Sequence, residues 1–341
     1  MRETTWLQAD EGEIEEVANK LTQNEGWKTA EVRWTRVRST RLRVHSKSRA
    51  YLDYLVENYH SPVHDGDLDE RLVTLYYYAG DKKGLVDELR PGRADFVETP
   101  CLGLYAKESQ LGLIAGLDEY GLMKSTALGL HSRVLFDDGW YPVHGAVFQI
   151  AGKGVILIGH HGAGKSTALL GLMHRARDKK VCASLLTDDW AVARMHGTGK
   201  VEIRAIDDRI SFSERLAKEN PELGILELIP KKRPAGIDKF WIPINDVFPG
   251  TARKRLLLDA VVVLVPLAAD HLIRQANSEE VCEILSDSAY HMPDCGGVAD
   301  KLRIFWRLVL ASRPCLLVDS RYSKGTRDEN YHLILDAIAG L

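Results

Sequence analysis

The run Gly159-His160-His161-Gly162-Ala163-Gly164-Lys165-Ser166-Thr167 carries the spacing GxxxxGK[ST]. Placed between a strand and a helix, such a loop cradles phosphate oxygens with its backbone N–H groups and the helix N-terminus. Its glycines permit tight turns and close backbone approach, Lys165 brings a point charge to the terminal phosphates, and the Ser166 hydroxyl is the expected Mg²⁺ ligand. Gly159, Gly162, Ala163, Gly164, Lys165, Ser166 and Thr167 are therefore the candidate nucleotide-binding residues, with ATP and Mg²⁺ as the expected cofactors. Downstream, Leu185-Leu186-Thr187-Asp188-Asp189-Trp190 closes an apolar run with two carboxylates. At the C-terminal end of a buried parallel strand, one carboxylate can serve the metal while the other takes the proton of an acceptor hydroxyl. The plainer reading of the pair is a polar turn or helix cap.

The elements that must position these residues are legible around them. Val143 to Ile150 reads as a strand, Gly152-Lys153-Gly154 as a turn, and Val155 to Ile158 as a fully apolar strand leading into the loop. A helix follows with Ala168, Leu169, Leu172 and Met173 on one face, then Val181 to Leu186 as a further buried strand. Leu256 to Val265 and Cys315 to Asp319 read as later strands. Turn residues around Phe136-Asp137-Asp138-Gly139 place a boundary near residue 130. The expected architecture is α/β, with residues 1–130 forming a smaller mixed unit that binds an acceptor or partner and residues 131–341 the nucleotide-binding unit. In the first, Asp10 to Leu21 has a helical period through Ile14, Val17, Ala18 and Leu21. The stretches Val32 to Arg38 and Arg41 to Val44 partly alternate apolar and basic residues. They are either a strand with one solvated face or, with Trp34 and His45 interleaved among the arginines, a surface for an anionic partner.

From about residue 140 to 210 the chain resembles the HPr kinase/phosphorylase family and, more distantly, the P-loop of phosphoenolpyruvate carboxykinases. The residues that carry this are Val143-His144-Gly145-Ala146-Val147, with His144 fifteen positions ahead of Gly159, then the glycine loop, Asp188-Asp189, and Glu202-Ile203-Arg204. The resemblance implies a C-terminal P-loop kinase domain of the HPr kinase type that moves the γ-phosphoryl group of ATP to a hydroxyl. It implies Asp188 as general base with His144 tuning it, Lys165 on the phosphates, Ser166 and Asp189 on the metal, and Glu202 taking part in metal binding. A second carboxylate raises the pKa of the first and a nearby imidazolium lowers it, so the trio can poise a base near neutrality. The chain departs from the family after Arg204, reading Ala205-Ile206-Asp207-Asp208 in place of a glycine-rich signature, and its first 130 residues do not resemble the family's N-terminal domain. The acceptor is left open as a Ser or Thr of a peptide or protein, or a small molecule.

With 341 residues, 45% of them hydrophobic, and a net charge of only -3, the chain has material for a large core and no bulk charge marking it for nucleic acid or a membrane surface. No run approaches the roughly 18 apolar residues that span a bilayer, and no leader pattern opens the sequence, which together with five scattered cysteines suggests a reduced, cytoplasmic protein. A homo-oligomer is compatible with all of this. Lys231-Lys232-Arg233 and Lys239 precede a strand at Phe240-Trp241-Ile242, as a solvated cluster or as a cation for the transferred group. Two rival readings of the glycine loop stand beside the kinase: a switch or motor that hydrolyses ATP, and a nucleic-acid kinase using the run from Arg33 to Arg49. An LSGGQ-like signature and an NKxD motif are both missing, which disfavours a transporter motor and a GTPase.

Overall fold

The computed structural model describes residues 4–22, 27–34, 40–59, 71–79, 101–116, 120–160, 162–229, 237, 239–267, 272–286, 292–293, 297–320 and 330–341. It is a mixed α/β protein with several sheets, divided into two compact units. One comprises Met1–Gly139 with Arg233–Ile237 and Ala289–Val298, the other Trp140–Lys232, Asp238–Ser288 and Ala299–Leu341.

The N-terminal unit contains β1 (Thr4–Gln8), α1 (Glu11–Thr22), β2 (Lys28–Trp34), β3 (Thr40–Ser46), α2 (Arg49–Tyr59), β4 (Arg71–Ala79), β5 (Cys101–Ala106), β6 (Leu111–Gly116) and α3 (Tyr120–Asp137). Its strands form one mixed sheet in the order β1-β5-β6-β4-β3-β2. The helical period read from Asp10 to Leu21 puts Ile14, Val17 and Ala18 of α1 onto Leu102, Leu104 and Leu113 of the sheet. Along β3, Leu42, Val44 and Ser46 are buried and Arg41, Arg43 and His45 half-buried, as strand alternation requires. Arg43 and Arg41 both lie against Glu31 on the neighbouring strand, at 2.9 and 3.8 Å, so this part of the basic run carries its own counter-charge. Arg36 and Arg38 lie outside the described residues, as do Lys231, Lys232 and Arg233.

The division falls at Gly139 rather than near residue 130. Helix α3 runs straight through the expected boundary and ends in a turn where Gly139 takes a φ of 79°. The turn residues noticed around Phe136 to Gly139 mark the end of this helix, and the boundary follows it. The helix is buried on nearly every side, and burial pushes the His131 imidazole down to about 3.

The C-terminal unit contains β7 (Tyr141–His144), β8 (Ala146–Ile150), β9 (Lys153–Gly159), α4 (Lys165–Asp178), β10 (Ala183–Thr187), β11 (Trp190–Met195), β12 (Val201–Ala205), β13 (Arg209–Ser213), α5 (Glu214–Glu219), β14 (Lys239–Pro243), α6 (Ile244–Val247), β15 (Arg255–Leu257), β16 (Ala260–Val265), β17 (Ile273–Gln275), α7 (Ser278–Ser286), α8 (Val298–Leu310), β18 (Cys315–Asp319) and α9 (Tyr331–Ala339). The main sheet runs β10-β8-β9-β16-β18-β17, with β9, β16 and β18 parallel; a second sheet runs β15-β12-β11-β7, and β13 pairs with β14 alone. Helices α4 and α9 pack on one another so closely that a Cβ on Gly171 would stand 2.2 Å from the Tyr331 ring.

Two strands expected to be continuous are broken. Val143 to Ile150 divides at Gly145, sending β7 and β8 to different sheets, because the chain there passes so near β9 that a Cβ would meet the Leu157 carbonyl oxygen at 2.7 Å. Leu256 to Val265 divides at Leu258 and Asp259. Asp259 is held by Gly154, whose N–H donates to Asp259 Oδ2 at 2.7 Å and whose carbonyl accepts the Asp259 N–H at 2.8 Å. Cys101, Cys182, Cys282 and Cys315 are free thiols; Cys295 lies outside the described residues. Among the described residues no helix is long and apolar enough to cross a membrane.

His131 gives the fold a measurable acid sensitivity. Its folded pKa lies below the ordinary value of 6.5, so between those limits only the unfolded chain takes up the proton. The stability is fully present above pH 6.5 and is lost as pH falls toward 3, at up to ~1.4 kcal/mol per pH unit. His131→Gln should flatten the dependence of melting temperature on pH below 6.5. Superimposable slopes for the two proteins would contradict this.

Candidate functional site

Strand β9 lies in the middle of the main sheet between β8 and β16, which buries Val155 to Ile158 and delivers the chain to the loop at Gly159. A side chain at Gly159 would meet the Leu264 carbonyl oxygen at 2.8 Å. Gly162 and Gly164 adopt φ of 79° and 88°, a region glycine enters without strain, and these turns reverse the chain into α4. No side chain caps α4 at Gly164. Its first-turn N–H groups thus have no intrahelical partner and face the loop, the geometry that suits an anion. The buried face of α4, Ala168 to Met173 with Ala176, fixes this end against the core.

Lys165 folds back so that Nζ donates to the Gly159 carbonyl at 2.9 Å and lies 3.4 Å from that of His160. Burial pushes its pKa below the usual lysine range; the Asp189 and Asp188 carboxylates oppose this and the Lys239 charge adds to it. Lys239, the first residue of β14, therefore stands near enough to Lys165 for its charge to count.

The strand that carries the acidic pair is not paired in parallel as expected. Strand β10 sits at the sheet edge, antiparallel to β8, which is itself antiparallel to β9. Two reversals restore the direction of β9, so Asp188 and Asp189 emerge at the same end of the sheet as the glycine loop. Asp188 is buried, with Oδ2 accepting from the Ser211 N–H at 2.8 Å and from the Ser211 hydroxyl at 3.0 Å. Its Oδ1 is also buried, and no hydrogen-bond donor among the described residues reaches it. Burial, then Asp189 and Asp207, push the Asp188 carboxyl up to about 8 against the two Ser211 hydrogen bonds. Asp189 is less enclosed; its Oδ1 lies 3.1 Å from Nε2 of His144, whose ring stacks on Trp190. The pairing of β7 with β11 sets His144 opposite Trp190 and so beside Asp189.

Glu202 is not brought to this group. It accepts from Arg204 Nε at 2.8 Å and lies 3.0 Å from His196 Nε2. Burial works to raise its pKa, and the hydrogen bonds and charges of Arg204 and His196 outweigh it and hold the carboxylate below its usual range. Among the described residues no three His, Cys, Asp or Glu side chains are grouped to hold a metal ion on their own. Ser166 and Asp189 stand at the loop end of the sheet, where a cation would need phosphate oxygens to complete its shell, as Mg²⁺ normally does.

Ser211, Thr187 and Asp207 were not among the candidates. The Thr187 hydroxyl donates to Asp207 at 2.8 Å and receives the Asp189 N–H at 3.3 Å, tying down the backbone of the acidic pair. The Thr187–Asp207 and Asp188–Ser211 contacts span 20 and 23 residues of chain and carry no local sequence signal. Chemically, the arrangement offers an anion-binding helix end, a lysine, one mostly buried carboxylate paired with an imidazole, and one fully buried carboxyl with an oxygen that no described donor reaches. No protein-family model matches the chain, and no curated protein is found similar to it.

The sign of the Asp188 shift yields a test in metal-free buffer. Between its ordinary value of 3.8 and about 8 the unfolded chain ionises this group while the folded chain keeps it protonated. Stability from this residue is therefore present at pH 4 and lost as pH rises toward 8. Asp188→Asn should match the wild type at pH 4 and exceed it by on the order of a few kcal/mol at pH 8 in chemical denaturation with EDTA. Parallel stability curves across that range would rule out the buried carboxyl described here.

Proposed function

We propose that the C-terminal unit transfers the γ-phosphoryl group of ATP to an acceptor hydroxyl. The observation that carries this reading is the free, buried Oδ1 of Asp188 at the end of the sheet where Lys165 and the N-terminus of α4 lie. A switch that hydrolyses ATP would use the same phosphate cradle and a base for water, so the labelled product, an acceptor or free phosphate, separates the two readings.

In this reading the backbone of Gly162 to Ser166 and the Lys165 ammonium hold the phosphate chain. The Ser166 hydroxyl and the Asp189 carboxylate are the ligands available to Mg²⁺, with His144 keeping Asp189 oriented through the 3.1 Å contact. A bound MgATP supplies the phosphoryl group and the positive charge that offsets its anionic oxygens. Asp188 must be ionised to act as a base, and positive charge alongside a carboxyl favours that state. Its Oδ1 then takes the acceptor's proton as the acceptor oxygen bonds to the γ-phosphorus and the bond to the β-phosphate oxygen breaks, releasing ADP. Lys239, close to Lys165, adds a second positive charge where the transferred group gains negative character. The N-terminal unit is the candidate for presenting the acceptor.

Incubation with γ-labelled ATP and pools of peptides, proteins and small alcohols, followed by mass spectrometry, should reveal a phosphorylated hydroxyl. Asp188→Asn should lower that labelling by about 10²–10⁴-fold with nucleotide binding retained, and Lys165→Ala should weaken nucleotide binding itself. Labelling by Asp188→Asn at the wild-type rate would sink the base assignment. Phosphate release stimulated by a macromolecule, with no labelled product, would replace the kinase by a switch.

A further inference from the structure

We infer that Ser211 is a positioning residue for Asp188, fixing the plane of its carboxyl so that Oδ1 alone is presented to the acceptor; this rests on the reading of Asp188 as the base. The torsion that turns an aspartate carboxyl about its own axis is broad, so one hydrogen bond holds an oxygen at a distance while leaving the plane of the group free to swing. Ser211 makes two bonds to the same oxygen from one residue, its N–H at 2.8 Å and its hydroxyl at 3.0 Å. Two donors converging on Oδ2 define the plane, and they leave Oδ1 with no donor among the described residues although it is equally buried. An oxygen left so loses the stabilisation a donor would give it, and its lone pairs are the ones not engaged and so free to take a proton.

The supporting element is anchored in the core. Ser211 lies in β13 opposite Trp241 of β14, and the same strand pair begins with Lys239 opposite Ser213, so the residue that orients the carboxyl and the cation near Lys165 belong to one two-stranded antiparallel pair. Phe212 and Phe240 of that pair lie in the core. The hydroxyl proton of Ser211 is used on Asp188, which leaves the residue no proton to give the acceptor; its effect is exerted through the carboxyl.

A merely structural serine and a positioning serine differ in what its loss changes. In Ser211→Ala the backbone N–H still reaches Oδ2, so that oxygen is not orphaned and the melting temperature should move little. The carboxyl, now held by one bond, samples its rotated forms, and a misplacement of about 1 Å at a reacting group costs on the order of 10²-fold in rate. Water is the simplest hydroxyl acceptor, so the probe is phosphate release from MgATP alone. Wild type, Ser211→Ala, Ser211→Thr and Asp188→Asn are compared for kcat, KM for MgATP and melting temperature. Ser211→Ala should lose about 10–100-fold in kcat, the range for a group that orients a reacting ligand, with KM within about threefold, and Ser211→Thr should recover most of the loss by restoring the hydroxyl. If Ser211→Ala keeps the wild-type kcat while Asp188→Asn loses it, or if its loss follows a lowered melting temperature that Ser211→Thr shares, the positioning role is overturned and the base survives. Where wild type releases phosphate no faster than buffer, the same four proteins are compared on the acceptor labelled from γ-labelled ATP; if Asp188→Asn matches wild type in the assay used, or no acceptor is labelled, the underlying reading falls with it.

Discussion

A carboxyl group removed from water beside two other carboxylates is costly to ionise, and Asp188 is buried next to Asp189 and Asp207. The fold answers with two donors from Ser211 on one of its oxygens and with the Lys165 charge nearby. Both answers come from elements remote in sequence, β13 and the start of α4. The site therefore cannot form until the strand pair β13-β14, the strand β10 and the glycine loop have all found their places. The half-satisfied carboxyl is a local weakness of the fold and the chemical resource of the site.

Strand direction decides whether those pieces meet. Had β10 paired directly with β9, one antiparallel reversal would have sent Asp188 to the far end of the sheet from the loop. Inserting β8 between them supplies the second reversal. That insertion depends in turn on Gly145, the only kind of residue that lets the chain leave β7 and enter β8 while passing 2.7 Å from where the Leu157 carbonyl would meet a side chain. The Gly145 N–H donates to the Asp189 carbonyl at 2.9 Å, so the break that separates the two sheets is bonded to the acidic pair itself. His144, the last residue before the break, then falls within reach of Asp189 as a consequence of the same geometry.

What the sequence made legible follows the range of each signal. The glycine loop, its flanking strand and helix, and the acidic pair are local patterns, set by backbone turns and by apolar periodicity within a few residues; strand, loop and helix stand where the pattern put them, while the acidic pair ends a strand paired antiparallel to β8. The helix at Ile14 to Ala18 and the one-sided strand at Leu42 and Val44 were readable for the same reason. The breaks at Gly145 and Asp259 were not, because the apolar character continues through both and only a neighbouring strand's backbone forces the chain to turn. Glu202 lies in a run that invites comparison with a metal ligand, yet the partners across and along its strands, Arg204 and His196, engage it instead. Ser211 carried no signal at all, since a lone serine in a strand is ordinary until its partner is known.

The two adjacent aspartates illustrate how environment, not residue type, divides labour. Asp188 is dry, hydrogen-bonded on one side and pushed toward the protonated form; Asp189 is partly exposed and faces an imidazole that stacks on Trp190. Asp189 keeps more contact with water, which solvates a carboxylate held beside a cation. The enclosed partner is the one whose proton affinity is raised, which suits a group that must accept a proton during reaction. Because successive residues leaving a strand point to opposite sides, one sheet edge can offer both environments to neighbouring positions in the chain. An acidic pair at the end of a strand therefore gains two distinct carboxylates only if one side of that edge is packed and the other is open, and here β13 packs the side of Asp188 while β7 borders the side of Asp189.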